Sequence, residues 1–276
     1  MWHARPAVHP SPGVALGRLR RERAYLAACA CRGVVVVGAY GALYRDVERS
    51  PCSASYDALG LLFFVLLFVV MTNVQSVALL FGDRVLFERE RANALYGTPA
   101  AWAATATVYA AFAALNGGLI AAAVAAACGL GDGADPGFKA AYAALTAAAA
   151  AAGFALCACL AAICRTAQAA TMLFSLASFL AVALAGYLVR LPDLSAPLRA
   201  AANLSFPRWA YQAAVLHEFK GRDDLLGGPR YEAALLATYG FDEASLADCV
   251  LAQVALLAAL LLLHLFALTR LNWDGR

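Results

Sequence analysis

Apolar residues come in six long blocks, separated by short polar stretches. The blocks run over about residues 25–44, 58–81, 100–128, 138–163, 168–189 and 246–269. A helix rises about 1.5 Å per residue, so roughly 20 apolar residues cover a hydrocarbon core of roughly 30 Å. The pattern predicts an all-α integral membrane protein with six transmembrane helices. Between the blocks, GLGDGADPG over 129–137 is a turn cluster of Gly, Asp and Pro.

Two stretches depart from this alternation. The second block runs directly into GDRVLFERERANALYG, where Asp83, Arg84, Glu88, Arg89, Glu90 and Arg91 crowd together. Phe81, Val85, Leu86, Leu95 and Tyr96 supply apolar contacts around them. A spanning helix that ends in a partly amphipathic charged segment can transmit force from a soluble partner; the alternative is an ordinary solvated flank. The second stretch, 190–245, holds Pro192, Pro197 and Pro207 near its start, yet SAPLRAAANLSFPRWAYQAAVLHEF is about half apolar. It is expected to pack on, or dip into, the outer leaflet as a partly re-entrant outer segment before the last helix. Asn203-Leu204-Ser205 is a glycosylation sequon whose apolar surroundings argue against occupancy.

Residues 13–24 form a short basic helix, giving a tail over 1–24, a transmembrane domain over 25–271 and a tail over 272–276. Prolines 6, 10 and 12 and the arginines behind them do not resemble a cleaved signal peptide. Arg32 lies inside the first span. Mid-bilayer placement costs about 2.5–3.5 kcal/mol, so snorkelling toward the cytosolic face is expected. With the N-terminus in the cytosol, the inside flanks hold Arg5, Arg18, Arg20, Arg21, Arg23, Arg84, Arg89, Arg91, Arg165, Arg270 and Arg276. The short outside loops hold only Arg45, Arg49 and Lys139. This asymmetry predicts an inside N-terminus, a cytosolic 82–97 segment and an outside 190–245 segment. The membrane is either the plasma membrane or an internal one.

Composition agrees. The chain of 276 residues is 63% hydrophobic and 14% charged, with mean hydropathy +0.69; a soluble domain carries nearer a quarter charged residues. A net charge of +3 without interleaved Lys/Arg and aromatics gives no nucleic-acid partner. Six of the eight cysteines (Cys29, Cys31, Cys128, Cys157, Cys159, Cys164) lie in or beside apolar blocks and read as small buried thiols. Cys157 and Cys159 are two apart on a helix and cannot face one metal. Cys52 and Cys249 are expected in loops. No GxxxxGK[ST], no GxSxG and no His/Glu pair at metal-ligand spacing occurs. No catalytic, cofactor or metal site is therefore expected. Spans nearly free of charge suit an apolar or amphipathic substrate better than a proton relay.

Several short elements resemble a known family in their order and spacing. These are Gly60-Leu61-Leu62-Phe63-Phe64, the series Arg84, Phe87, Glu90 and Tyr96, and Ala185-Gly186-Tyr187-Leu188-Val189. Leu204-Ser205-Phe206-Pro207-Arg208-Trp209 and His217-Glu218-Phe219-Lys220-Gly221 complete the set. Over about residues 18–270 the chain resembles the membrane domain of ABCG (white) subfamily transporters, within the wider ABC-2 type. The resemblance implies the membrane-spanning half of an ATP-driven exporter of lipids, sterols or amphipathic compounds. Two such halves would form a homo- or heterodimer around the pathway. ATP and Mg would be bound by a nucleotide-binding domain, which in that family usually precedes the membrane domain in the same chain. Its absence makes this a separate subunit, a truncated product or an excerpt. By the same resemblance Arg84, Glu90 and Tyr96 couple to the ATPase domain. Phe64, Phe68 and Met71, with Ser175, Phe179 and Val182, line the substrate cavity, and Tyr187 and Leu188 form an outer plug. Two rivals stand beside this reading: a non-transporting membrane scaffold or regulatory subunit, and a channel-like pore.

Overall fold

A computed structural model describes residues 12–44, 51–93, 97–131, 137–219, 229–242 and 244–270. Among them every regular element is helical. In chain order these are α1 (Pro12–Arg21), α2 (Arg23–Leu43), α3 (Pro51–Met71), a 3₁₀ turn (Thr72–Gln75), α4 (Ser76–Ala92), α5 (Thr98–Cys128), α6 (Phe138–Ile163) and α7 (Ala167–Ala183). A second 3₁₀ turn (Leu191–Asp193) leads into α8 (Ala196–Ala202), α9 (Phe206–Phe219), α10 (Pro229–Tyr239) and α11 (Leu246–Arg270).

Local chemistry sets the boundaries. α5 begins after Gly97 with Pro99 in its first turn and ends at Gly129, whose φ of 73° lets Leu130 N–H donate to the Ala125 carbonyl at 3.0 Å. The Thr166 hydroxyl caps α7 by accepting from Ala169 N–H. Ser205 caps α9 by accepting from Arg208 N–H, and Ser245 and Asp248 cap each other's backbone at the start of α11.

Five stretches are long and apolar enough to cross a membrane: Arg23–Leu43, Tyr56–Arg91, Thr98–Cys128, Phe138–Ile163 and Leu246–Arg270. The expected fifth span is shorter than its block. α7 has 17 residues, about 25 Å, and stops at Ala183 rather than 189. Gly186 then takes φ 99°, a conformation that L side chains rarely adopt, and turns the chain. α3 and α4 are joined by the 3₁₀ turn at 72–75, well inside the apolar block. There Thr72 Oγ1 donates to the Val69 carbonyl, and Asn73 Nδ2 donates to the carbonyls of Val69 and Val70. Side chains that bond the preceding turn in this way loosen the helical ladder.

α6 is the axis of the bundle. α3, α4, α5, α7, α9 and α11 all pack against it, and its alanine run from Ala149 to Ala152 is almost wholly buried. Small side chains let backbones approach closely where no hydrophobic force drives helices together. Gly117 of α5 is the tightest such approach: a Cβ there would stand 2.6 Å from Ala150 Cβ and 2.8 Å from Val69 Cγ1. Polar clips cross the same interfaces. Gln253 Nε2 donates to the Leu145 carbonyl, Tyr211 O–H to Leu59 and Ser205 O–H to Ala181.

Within the 190–245 segment, α9 is built into the bundle. α9 packs on α3, α6, α7 and α11 and buries most of its length, including Tyr211, Gln212 and Phe219. The Glu218 carboxylate accepts from Gly131 N–H at 3.4 Å, holding the turn after α5 to the end of α9. Asn203 of the sequon is exposed, and its side-chain oxygen accepts from Arg208 Nη1. Cys249, expected in a loop, is a fully buried free thiol within α11, packed with Leu145 and Ala213. The Cys52 side chain lies outside the described residues.

Candidate functional site

The bundle has two chemically distinct ends. One gathers α1, α4, the start of α5 and the last turns of α6 and α11, and it carries the charge. Arg84 Nε donates to Glu88 Oε1 at 3.0 Å, one turn on in α4. Arg84 Nη1 reaches across to the carbonyls of Cys164 (2.9 Å) and Ala161 (3.4 Å). Arg84 therefore caps the C-terminus of α6, where unpaired carbonyls and the helix dipole favour a cation. Glu90 is held from another side: Arg18 Nη2 of α1 lies 3.0 Å from both of its carboxylate oxygens. Asp83 accepts from the Tyr109 hydroxyl of α5 at 2.5 Å. Arg84 and Glu90 thus occupy one end of one helix but have different partners. Tyr96 lies outside the described residues. The roles of Arg18 and Tyr109 were not legible from spacing, because both come from other helices.

The opposite end is aromatic. Tyr187 stacks on Phe63 with ring centroids 4.6 Å apart, and Tyr211 meets both rings edge-on near 6 Å. Phe241 continues the cluster from Tyr211. Tyr187 is thereby fixed against its own chain, whereas the neighbouring Leu188 is 54% exposed.

Between the ends, α3 and α7 pack side by side and present an apolar face. Phe64 is 39% and Phe179 57% exposed. Ser175 is also exposed, and Phe68 and Met71 are half-buried. Val182 departs from this group. It is buried, and continues the inward stripe of Ala170, Phe174 and Ser178. Gly186 belongs to neither face of α7. It lies beyond the helix end beneath the Phe241 ring, so its lack of a side chain serves a turn and an internal contact.

The Arg32 side chain reaches back along α2 toward Cys29 and Tyr25. Its guanidinium enters a cavity of about 20 Å³ lined by Tyr25, Thr72, Asn73 and Asn116. Nη2 lies 3.5 Å from Cys29 Sγ. Nε and Nη1 are buried there without a hydrogen-bond partner among the described residues. The polar side chains brought in by the 3₁₀ turn make that cavity, and nothing in the first apolar block announces them.

A family model described as ABC-2 type transporter matches residues 15–219, from α1 to the last residue of α9. The chain belongs to the ABC-2 type transporter family. It is a multi-pass integral membrane protein and the membrane component of such a transporter. An ABC-2 type membrane domain is a transport domain without a catalytic site and binds no cofactor itself; such domains generally pair with ATPase subunits or domains. No ATPase domain is present in these residues. No curated protein matches the chain.

Proposed function

We propose that this ABC-2 type transporter is the membrane-spanning half of an ABCG-like exporter of lipids, sterols or amphipathic compounds. Two membrane domains face each other across the path in this reading. The observation that carries it is that α3 and α7 pack together and each leaves apolar side chains exposed. Phe64, Ser175 and Phe179 are among the exposed residues, and α7 contains no ionisable residue. A path bounded by aromatic and aliphatic groups, with one hydroxyl, suits an amphiphile and offers nothing to a bare ion. Arg84 and Glu90 then belong to the end that meets the ATPase, and Leu188 stands nearest an outer closure. The excess of arginine in the flanks at the charged end supports a cytosolic N-terminus.

The test is co-reconstitution with an ABC-type ATPase subunit that co-purifies with this chain. ATP-dependent movement of a fluorescent phospholipid analogue out of the ATP-exposed leaflet is the expected result. A complex that assembles and hydrolyses ATP, but moves no lipid and is not stimulated by lipid, would support the scaffold reading instead.

A further inference from the structure

Helix α1 keeps one face free. Ala15 and Leu19, four apart, are buried against the bundle, and Arg18 beside them is taken up by Glu90. The opposite face carries Gly13, Gly17, Arg20 and Arg21, which come together at helical spacings of three and four. Arg20 and Arg21 are both exposed, and neither forms an ion pair among the described residues. Val14 and Leu16 edge this face and are 44% and 41% exposed.

The neighbours of α1 fix its depth. Val14 and Ala15 line one cavity with Ala101 of the first turn of α5, Ala162 of the last turn of α6, and His264 and Leu268 of α11. α1 therefore lies beside the terminal turns of three spanning helices, not beyond their ends. Glu22 alone separates it from α2, which starts at Arg23 and is itself long and apolar enough to span. This is the level at which a bilayer passes from acyl chains to headgroups. A short helix there, with apolar side chains at the edges of a basic face, matches an interfacial helix.

Charge selects the partner. Arg20, Arg21 and Arg23 stand around one acid, Glu22. Asp83, Glu88 and Glu90 at this end are already held, by Tyr109, Arg84 and Arg18. The free face is thus net positive, and each basic residue near an anionic leaflet adds to binding. We propose that this face of α1 binds anionic phospholipid headgroups of the adjoining leaflet. Their phosphates meet Arg20 and Arg21, while Val14 and Leu16 lie among the first acyl carbons. The Arg18–Glu90 pair then ties the headgroup contact to α4. The surface is separate from the residues that α3 and α7 expose, and it is the same whichever way the chain crosses the membrane.

The test uses the full chain with a photoreactive benzoylphenylalanine in place of Gly17, where an added Cβ meets nothing within 4 Å. The chain is placed in nanodiscs of equimolar phosphatidylcholine and phosphatidylglycerol. A second chain carries the same residue in place of Gly38, on the exposed side of α2, where space is equally open. Intact mass after illumination reads which lipid is attached. At position 17 phosphatidylglycerol adducts should exceed phosphatidylcholine adducts about fivefold; at position 38 the two should be nearly equal. In Arg20→Gln/Arg21→Gln the excess at position 17 should vanish while lipid adducts persist. Equal adducts at position 17 with both arginines present overturn the proposal, and this comparison needs no arginine variant. An excess that survives the double substitution overturns it as well. So does lipid attached at position 38 but none at 17, which would turn the face toward water or an acidic protein partner.

Discussion

Arg18 and Glu90 are 72 positions apart, and a single guanidinium nitrogen lies 3.0 Å from both oxygens of the carboxylate. Their side chains are only 26% and 22% exposed. The contact docks the short basic helix α1 onto the last turns of α4. A part-buried pair of this kind is worth more than a surface pair. Arg18→Ala and Glu90→Ala should each lower thermal stability, with a coupling of about 1–2 kcal/mol in a double-mutant cycle. Exchanging the two residues should recover most of it. Glu90→Ala should also insert normally yet lose transport-linked ATPase activity when an ATPase partner is supplied. Full coupling in that mutant would make the segment a solvated flank.

Hydropathy places most of the helices here because a long apolar block has few alternatives in a bilayer. The turn clusters also end α5 where expected. What it does not place depends on contacts between helices. The 3₁₀ turn at 72–75 follows from where Asn73 meets Gly153: a Cβ on that glycine would lie 2.8 Å from Asn73 Nδ2. Arg32 turns inward because that same turn supplies polar neighbours across the bundle. Gly186 is required by its backbone conformation and by the Phe241 ring against it, neither of which a local pattern shows. Val182 lies about 20° from Ser175 and about 40° from buried Ser178 around α7, on the border between the two faces, so spacing alone could not assign it.

Gly117 is the point where α5, α6 and α3 come closest. Gly117→Ala should destabilise by about 1–3 kcal/mol, the range for overpacking a filled core. Gly38, on α2, has nothing within 4 Å of an added Cβ. Gly38→Ala should leave the melting temperature unchanged or slightly raised. Similar gains at both sites would show that helix propensity, rather than the α5–α6 approach, sets the effect.

Arg32→Met keeps most of the length of the side chain and removes a guanidinium with two nitrogens unpartnered among the described residues. Replacing an uncompensated internal charge by an apolar group is neutral or stabilising. Expression and melting temperature should therefore hold or rise. A large fall in either would mean that a group from outside the described residues, or from a second copy, neutralises Arg32.

Orientation is open to a direct measurement. In a cysteine-free background, a membrane-impermeant maleimide applied to intact cells should label Asp193→Cys, and Leu225→Cys in the outer segment beyond the described residues. It should not reach Asn93→Cys at the end of α4 until the membrane is permeabilised. Labelling of position 93 from outside would reverse the assignment of both ends.

Phe179 separates a transport face from ordinary packing. Its ring is 57% exposed, so it contributes little to the interior of a single chain. Phe179→Ala should leave abundance nearly unchanged. If the ring stacks on substrate, apparent affinity for an apolar substrate should fall by about 1–3 kcal/mol, from lost apolar area and ring contacts. Phe174, one turn earlier and fully buried, supplies the contrast. Phe174→Ala opens a cavity and should lower abundance, while the protein that survives transports with unaltered affinity. Measuring abundance and affinity on both mutants decides the matter, because lipid-facing rings and core rings each change at most one of the two. If Phe179→Ala behaves like Phe174→Ala, or changes neither quantity, the α7 face is removed from the path.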